Sequence, residues 1–345
     1  MALQIDPSKP AVMRTDEGPR ARITLSIVAV AAAALFAAYC YRESLAFLYF
    51  SRIGYRWHFP LDNSSPSVVT ADEKQGILRP AFADLPYSGK SPFEKLDLYL
   101  SSDQHRPAPL VIWIHGGGFQ TGDKRSMPRR DYGPPPKLLG PGGPFQIQVP
   151  DVAALTAKGY AVVSLNYRLS YRKGEHIYEA AIAGFQDGKS AVRFLRANAN
   201  RFNIDPQKFA VWGDSAGGYM AAMLGVTGDQ PTIFDDPTSQ DAGVSSAVQA
   251  VVVWYGAVDA DFLSPDIRMV HYIPTAKVLP PFLIANGEAD PNVSAANARR
   301  LHEALVKAGA NSALTLIPGA GHEDPTFMAT QMIPAFTFLD EAFRR

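Results

Sequence analysis

The sequence predicts an α/β protein with one mostly parallel sheet of eight strands and helices on both faces. Short apolar runs typical of strands alternate with longer segments of helical periodicity along residues 91–345. The apolar runs are continuous rather than alternating, as expected for parallel strands buried on both faces. With 345 residues, 47% of them hydrophobic, the chain is long enough to bury one large core.

The individual elements follow from these runs and from their periodicity. The clearest strand candidates span residues 93–100, 110–114, 160–168, 209–212, 247–255, 281–286 and 313–317. The expected helices span residues 151–158, 177–200, 294–308 and 326–343, with another directly after residue 215. Residues 42–90 are first aromatic and basic, then polar with Pro and Gly, and we expect them to form a linker or interfacial segment.

An uncharged apolar run occupies residues 23–41, between a tail at 1–22 and the linker, and has arginines on both flanks. Its length is just sufficient for a helix to cross about 30 Å of hydrocarbon. We predict an uncleaved transmembrane anchor, with the basic tail inside and the large domain outside the cytoplasm. A cleaved signal peptide, a lipoprotein signal ending at Cys40 and a buried Ala-rich helix are the alternatives.

Composition narrows the possible partners. Lys plus Arg and Asp plus Glu both number 33, so the net charge gives no sign of nucleic-acid binding. Cys40 is the only cysteine, and the seven histidines are scattered without a metal-binding motif. In GFQDGKS, Ala183 occupies the place of the first glycine of a phosphate loop, which argues against nucleotide binding. We expect no metal and no cofactor, and the sequence leaves the oligomeric state open.

The segment at residues 213–217 reads Gly-Asp-Ser-Ala-Gly, between an apolar strand and a helix. This G-x-S-x-G pattern in this context is a nucleophile elbow, in which the serine stands on a sharp turn clear of the sheet. Glycines on both sides allow neighbouring backbone to approach closely. The helix that follows directs its N-terminus at a site where negative charge develops. Ser215 is therefore the expected nucleophile.

A second glycine-rich segment follows the predicted strand at residues 110–114. It reads His115-Gly116-Gly117-Gly118-Phe119, at the carboxyl end of that strand. Active sites in α/β sheets lie at this end. Three successive glycines expose backbone N–H groups, which an oxyanion hole requires.

A serine nucleophile needs a histidine base, and three histidines follow Ser215. His322 comes after a predicted strand and a glycine-rich turn, so it can reach over the edge of the sheet. His302 lies within a predicted helix and His271 in an irregular segment. We therefore favour His322 as the base.

The histidine needs a carboxylate partner, which follows the serine and precedes the histidine in one common chain order. Asp290 follows the predicted strand at residues 281–286 and is our first choice. Asp259, Asp261 and Glu288 are the alternatives. Asp324 is too close to His322 in the sequence to be an easy partner.

Residues 123–150 are rich in Pro and Gly and locally basic, so we predict a long loop. The loop starts just beyond the three glycines. It either overhangs the site or is a surface insertion.

These motifs together resemble the α/β-hydrolase esterases. The resemblance rests on HGGGF, on Asn166 to Arg168, on GDSAGG, on the Gly287 to Asp290 segment and on GAGH, and it covers about residues 90–343. The chain looks similar to carboxylesterases and hormone-sensitive-lipase-like enzymes, in a branch with feruloyl or acetyl esterases and kynurenine-formamidase-like proteins. The resemblance implies an α/β-hydrolase catalytic domain at 91–345. It also implies a triad of Ser215, Asp290 and His322, and an oxyanion hole formed by the N–H groups of Gly117, Gly118 and Ala216.

The expected function is hydrolysis of short-acyl carboxylic esters through an acyl-enzyme, with a small-molecule ester as the partner. The connection at residues 257–280 is too short for a large lid, and Phe119 and Tyr219 are candidates to bound a small acyl pocket. An amidase or peptidase would use the same residues, and a non-catalytic membrane-tethered binding module is the remaining alternative. The physiological ester is not readable from the sequence.

Overall fold

The computed structural model describes residues 79–344, with gaps at 121, 125–138, 141–142, 145–150, 170–176 and 260–262. The described residues fall in the second of the two units into which the chain divides, Pro66–Arg345. The predicted tail at 1–22, the predicted anchor at 23–41 and most of the predicted linker lie outside them. Within the described ranges, no helix combines the length and the apolar character needed to cross a membrane.

The main sheet has eight strands and is mostly parallel, as predicted. Its spatial order is β1-β2-β6-β3-β7-β8-β9-β10. The pairs β1–β2 and β2–β6 are antiparallel, and the strands from β6 to β10 pair in parallel. The strands of this sheet are β1 (Phe82–Pro86), β2 (Lys95–Tyr99), β3 (Ala108–Ile114), β6 (Ala161–Leu165), β7 (Ile204–Asp214), β8 (Ala250–Trp254), β9 (Phe282–Gly287) and β10 (Ser312–Ile317). A separate two-stranded pair, β4 (Leu139–Gly140) and β5 (Gly143–Pro144), lies within the predicted long loop.

The first strand corrects the predicted linker. Residues 82–86, which we assigned to the segment 42–90, form β1 at the antiparallel edge of the sheet. The sequence FADLP carries an acidic residue and a proline, and most of its side chains are exposed or half-buried. An edge strand pairs with a neighbour on one side only and need not be buried on both faces. It therefore lacks the apolar run by which we recognised the other strands.

Six α-helices flank the sheet in the described ranges. They are α1 (Val152–Ala157), α2 (Ile177–Ala197), α3 (Ala199–Phe202), α4 (Ala216–Thr227), α5 (Ala295–Lys307) and α6 (Thr326–Arg344). The predicted helix at 177–200 therefore ends three residues early. A short second helix follows, and Asn203 terminates it in the left-handed conformation at φ 51°. This turn lets β7 start at Ile204, five residues before the predicted strand.

Two apolar layers bury the sheet. Trp113, Trp212 and Trp254 lie side by side on β3, β7 and β8, fully buried under α6. On the other face, α2 and α4 cover the sheet with side chains such as Phe185 and Met220. Because these strands pair in parallel, one edge of the sheet holds the carboxyl ends of β3, β7, β8, β9 and β10. Every predicted site residue lies at this edge.

Candidate active site

The nucleophile elbow has a backbone that only glycine permits at two positions. β7 ends at Asp214 and α4 starts at Ala216, so Ser215 occupies the single residue between them, at φ 50° and ψ −117°. A Cβ added to Gly213 would lie 2.3 Å from the carbonyl of Gly217, and one added to Gly217 would lie 2.0 Å from the carbonyl oxygen of Ile114. Both glycines therefore allow backbone contact that holds the strained serine in place.

The structure brings the three predicted triad side chains together. The Oγ of Ser215 lies 2.9 Å from the Nε2 of His322. The Nδ1 of the same ring donates to the Oδ2 of Asp290 at 2.7 Å. The Asp290 side chain is fully buried and the His322 side chain is 10% exposed. The arrangement can transfer a proton from the hydroxyl to an imidazole whose tautomer a carboxylate fixes.

Hydrogen bonds orient the carboxylate toward the histidine. The Oδ1 of Asp290 accepts from the backbone N–H groups of Asn292 and Val293, both at 2.8 Å, which leaves Oδ2 for His322. The turn that carries Asp290 and the turn that carries His322 are hydrogen-bonded to each other, since the N–H of Ala289 donates to the carbonyl of Ala320 at 3.0 Å. A glycine at 287 is required at this junction, because an added Cβ would lie 2.2 Å from the Ala320 carbonyl oxygen.

The alternative acids have other partners or lie elsewhere. The Oδ2 of Asp259 accepts from the Nε of Arg300 at 2.5 Å, and the Asp259 carbonyl accepts from the same guanidinium. Glu288 is exposed and faces Arg299 at 3.9 Å. Asp261 lies outside the described residues. Asp324 accepts from the N–H and the hydroxyl of Thr326, at the start of α6.

The alternative histidines also have other partners. The Nδ1 of His271 donates to the carbonyl of Pro265 at 2.8 Å, on an exposed 3₁₀ turn. The Nδ1 of His302 lies 2.9 Å from the Oγ of Ser312, between α5 and β10. His322 is thus the histidine that the fold places against the elbow.

The predicted oxyanion donors come from two elements beside Ser215. Gly117 and Gly118 have φ values of 112° and 63°, which turn the backbone after β3 in a way that favours glycine. The N–H of Gln120 donates to the carbonyl of Gly117 at 3.0 Å and closes this turn. Ala216 is the first residue of α4, so its N–H is one of those at a helix N-terminus, where developing negative charge is stabilised. This arrangement is suited to an oxyanion.

Two acidic side chains near the triad were not singled out from the sequence. Asp214 is buried, and its Oδ1 has no hydrogen-bond partner among the described residues. Burial, and then the nearby charge of Glu323, raises the pKa of Asp214 well above its ordinary value. Burial also raises the pKa of Glu323, while His322 acts in the opposite direction. Each of the two residues is next to a predicted triad member in the sequence, and this neighbourhood is the signal by which they could have been found.

Tyr255 is the third residue that sequence reasoning passed over. It follows β8, adopts φ 38° and is fully buried. Its ring centroid lies 4.8 Å from that of His322, edge to face, and 4.6 Å from that of Phe327. The ring therefore restricts the position of the imidazole.

The aromatic residues expected to bound an acyl pocket lie in the core. Phe119 and Tyr219 are each 1% exposed, with their centroids 6.1 Å apart, and both contact Phe185. The Tyr219 hydroxyl donates to the carbonyl of Ile267, which belongs to the connection between β8 and β9. That connection contains three short 3₁₀ turns, Pro265–Ile267, Met269–His271 and Ile273–Thr275, and it packs against this aromatic group.

In the residues open to description, no group of three or more His, Cys, Asp and Glu side chains is arranged to hold a metal ion. Of the predicted loop at 123–150, Asp123, Lys124 and the β4–β5 pair are described, and the relation of the rest to the site stays a prediction.

Comparison with known proteins finds hydrolase families and esterase relatives. The family described as BD-FAE matches residues 145–271, and the dienelactone hydrolase family matches residues 238–334. Esterase LipC of Mycobacterium tuberculosis is 27% identical over 263 residues, which are 68% of this chain and 58% of LipC. Esterase LipQ of the same organism is 26% identical over 267 residues, 70% of this chain and 56% of LipQ. The chain thus spans less than two thirds of the length of these relatives.

Solved structures show the same fold. Esterase 2 of Thermogutta terrifontis, solved as the form phosphoramylated by tabun, aligns with a TM-score of 0.59 at 23% identity. The alignment covers 74% of this chain and 92% of that one. The protein has the α/β-hydrolase fold. Within that class, the comparisons confirm its resemblance to the esterases.

Proposed function

We propose that the protein hydrolyses carboxylic esters, with Ser215 as nucleophile, His322 as general base and Asp290 as the residue that fixes the imidazole. The observation that carries the proposal is the continuous hydrogen-bonded path from Ser215 through His322 to Asp290, with distances of 2.9 and 2.7 Å. The esterase relatives found by sequence support the same reaction.

The reaction follows from this geometry. The Oγ of Ser215 attacks the ester carbonyl carbon while the Nε2 of His322 accepts the hydroxyl proton. The carbonyl electron pair moves to oxygen, and the N–H groups of Gly117, Gly118 and Ala216 stabilise the oxyanion. The imidazolium then gives its proton to the leaving alcohol as the carbonyl re-forms. Water repeats the sequence on the acyl-enzyme and releases the acid.

The test of this assignment is covalent labelling. Incubation with a fluorophosphonate is expected to modify Ser215, as located by mass spectrometry of the digested protein. Ser215→Ala is expected to remove both the labelling and the hydrolysis of nitrophenyl esters. Modification of another serine, or unchanged labelling in the variant, would contradict the assignment. Turnover of aminoacyl amides without turnover of nitrophenyl esters would instead select an amidase.

We further propose a preference for acyl groups of about two to six carbons. Each methylene that the acyl pocket accommodates adds about 0.8 kcal/mol of binding free energy, so the preference should rise with chain length and stop where the pocket ends. The described part of the connection between β8 and β9 packs against Tyr219 and is short for a lid that would cover a lipid chain. The measurement is kcat/KM for nitrophenyl esters from acetyl to palmitoyl. A rise followed by a break at short length is expected, and a continued rise through the long esters would indicate a lipase.

The location of the enzyme rests on residues 23–41, which the structure does not describe. We propose that this run anchors the protein in a membrane with the catalytic domain outside the cytoplasm, because its length and flanking charges suit a spanning helix. Fractionation of cells that express the full chain tests this, together with N-terminal sequencing. Soluble protein, or a new N-terminus near residue 40, would overturn the proposal.

A further inference from the structure

The segment that carries the oxyanion glycines is closed on itself. We call residues 115–120 and 122–124 the oxyanion loop, since they contain Gly117 and Gly118. Gly122 adopts φ 109°, and a Cβ added to it would lie 2.2 Å from the Nδ1 of His115. The end of the loop therefore packs directly against its beginning. A displacement at the end of the loop will reach the glycines between them.

The beginning of the loop is fixed by Tyr167, just after β6. The hydroxyl of Tyr167 donates to the carbonyl of His115 at 3.0 Å, and the two rings stack with their centroids 4.6 Å apart. The Nδ1 of His115 donates to the carbonyl of Gly116 at 2.7 Å. The imidazole is buried and packed against the tyrosine ring.

The end of the loop is fixed by Lys124, whose side chain is only 2% exposed. Its Nζ lies 2.9 Å from the Oδ1 of Asp97, which is fully buried on β2, and 2.7 Å from the Oδ1 of Asp84 on β1. Burial alone would lower the pKa of Lys124, but Asp97, Asp123 and Asp84 outweigh it and raise that pKa. The lysine is therefore a buried cation held by the antiparallel edge of the sheet.

The backbone around Lys124 is held by β6 as well. The Oγ of Ser164 donates to the carbonyl of Lys124 at 2.7 Å. Asn166 accepts from the Lys124 N–H, and its Nδ2 donates to the Oδ2 of Asp123 at 3.0 Å. Side chain and backbone of one residue are thus tied to three strands that contribute nothing to the triad.

We propose that Lys124 is a positioning residue, which holds the oxyanion loop in the position from which its N–H groups donate to the substrate oxyanion. The inference rests on the proposed function, because it gives Lys124 a role in the same reaction. The lysine does not touch the reacting atoms and acts through the loop. A displacement of an oxyanion donor by about 1 Å is sufficient for a large loss of rate.

The chain offers a matched control. Lys189, on α2, is fully buried and pairs with Asp235 at 2.9 Å, in the segment between α4 and β8. Lys124→Met and Lys189→Met each remove a buried cation from an ion pair, so both are expected to lower the thermal midpoint, although Arg193 remains 2.5 Å from Asp235 in the second variant. Only the first of these ion pairs holds the oxyanion loop.

The experiment uses the full chain and measures kcat and KM per active site, with the active sites titrated by a fluorophosphonate. Because only folded protein is titrated, a loss of activity that arises from unfolded protein does not affect kcat per active site. Lys124→Met is expected to lower kcat by about 10- to 100-fold with KM within about twofold, because transition-state stabilisation is lost. Lys189→Met is expected to keep the wild-type kcat per site. Equal kcat values per site for the two variants would overturn the inference.

A milder pair of variants decides the question if Lys124→Met does not fold. Ser164→Ala removes one hydrogen bond to the Lys124 carbonyl, and Ser246→Ala removes the bond from another buried serine to the carbonyl of Gly228, at 2.8 Å. Ser164→Ala alone is expected to lower kcat per site, by about three- to tenfold. Equal values for these two variants would overturn the inference. A wild-type protein that is neither labelled nor active would overturn the proposed function itself and the inference with it.

Discussion

Ser215 stands on a turn shaped by glycine backbone, whereas Asp290 stands on a turn shaped by hydrogen bonds to its own side chain. At the elbow, Gly217 approaches the carbonyl of Ile114 so closely that a Cβ would lie 2.0 Å from its oxygen. At the acid turn, two backbone N–H groups hold one carboxylate oxygen at 2.8 Å each and leave the other for His322.

This difference teaches what each part of the site tolerates. At the elbow, a Cβ added at Gly213 or Gly217 would overlap backbone atoms, so it is expected to displace the nucleophile. The acid turn depends on a charged acceptor, so an isosteric change of charge disturbs it without altering its shape. Because Gly287 gives the acid turn a steric requirement of its own, substitutions of charge rather than of volume separate the two regions.

The largest effect is expected from Asp290→Asn, which preserves volume and removes the charge. The amide no longer stabilises the imidazolium and favours the wrong tautomer, so we expect kcat to fall by about 10⁴-fold. Steady-state kinetics with a nitrophenyl ester measure this.

Asp259→Asn is the matched control, because this carboxylate also follows a strand of the sheet but pairs with Arg300. We expect its kcat to stay within about threefold of wild type. A greater loss at 259 than at 290 would reverse the assignment of the acid.

An intermediate effect is expected from Gly217→Ala, which changes volume alone. The new Cβ forces α4 away from the end of β3 and shifts Ser215, so we expect kcat per titrated site to fall by about 100-fold. Gly321→Ala is the control in the acid–base region, because nothing lies within 4 Å of the Cβ position there. Full activity in both variants would show that the elbow adapts to a side chain, contrary to the comparison.

The smallest effect on rate is expected from Asp214→Asn, a change of charge inside the region shaped by sterics. Burial, and then the charge of Glu323, raises the pKa of Asp214, which favours its neutral form in the folded protein, and an amide resembles that form. We expect kcat at neutral pH within about threefold of wild type. A loss as large as that of Asp290→Asn would mean that Asp214 works as a charged group.

The same residue sets a pH dependence of stability. Because the pKa of Asp214 is higher in the folded protein than in the unfolded chain, this group makes the wild type less stable as pH rises from about 4 toward the folded-state pKa. The free energy of unfolding of Asp214→Asn, relative to wild type, is therefore expected to increase with pH, by up to about 1.4 kcal/mol per pH unit. Urea unfolding at several pH values between about 5 and 8 measures it. A difference that does not change with pH would show that Asp214 is ionised in the folded protein.

Elements whose signal is local were readable from the sequence alone. Continuous apolar runs predicted the parallel strands, and β3, β8 and β9 lie within a few residues of the predicted positions, because a strand buried on both faces carries mostly apolar side chains. The elbow and the oxyanion glycines were equally readable. A turn that only glycine permits can be recognised by that glycine in the sequence, as at Gly217.

Features that depend on residues far apart in the chain became visible in the folded structure. The pairing of Asp259 with Arg300 leaves Asp290 to face His322, and spacing alone did not distinguish these two acids. Strand β1 stayed hidden because an edge strand needs no apolar run. Lys124 reads as one more basic residue of a polar loop. Its buried position exists because Asp97 and Ser164, on two other strands, supply the charge and the hydrogen bond that compensate for the loss of water.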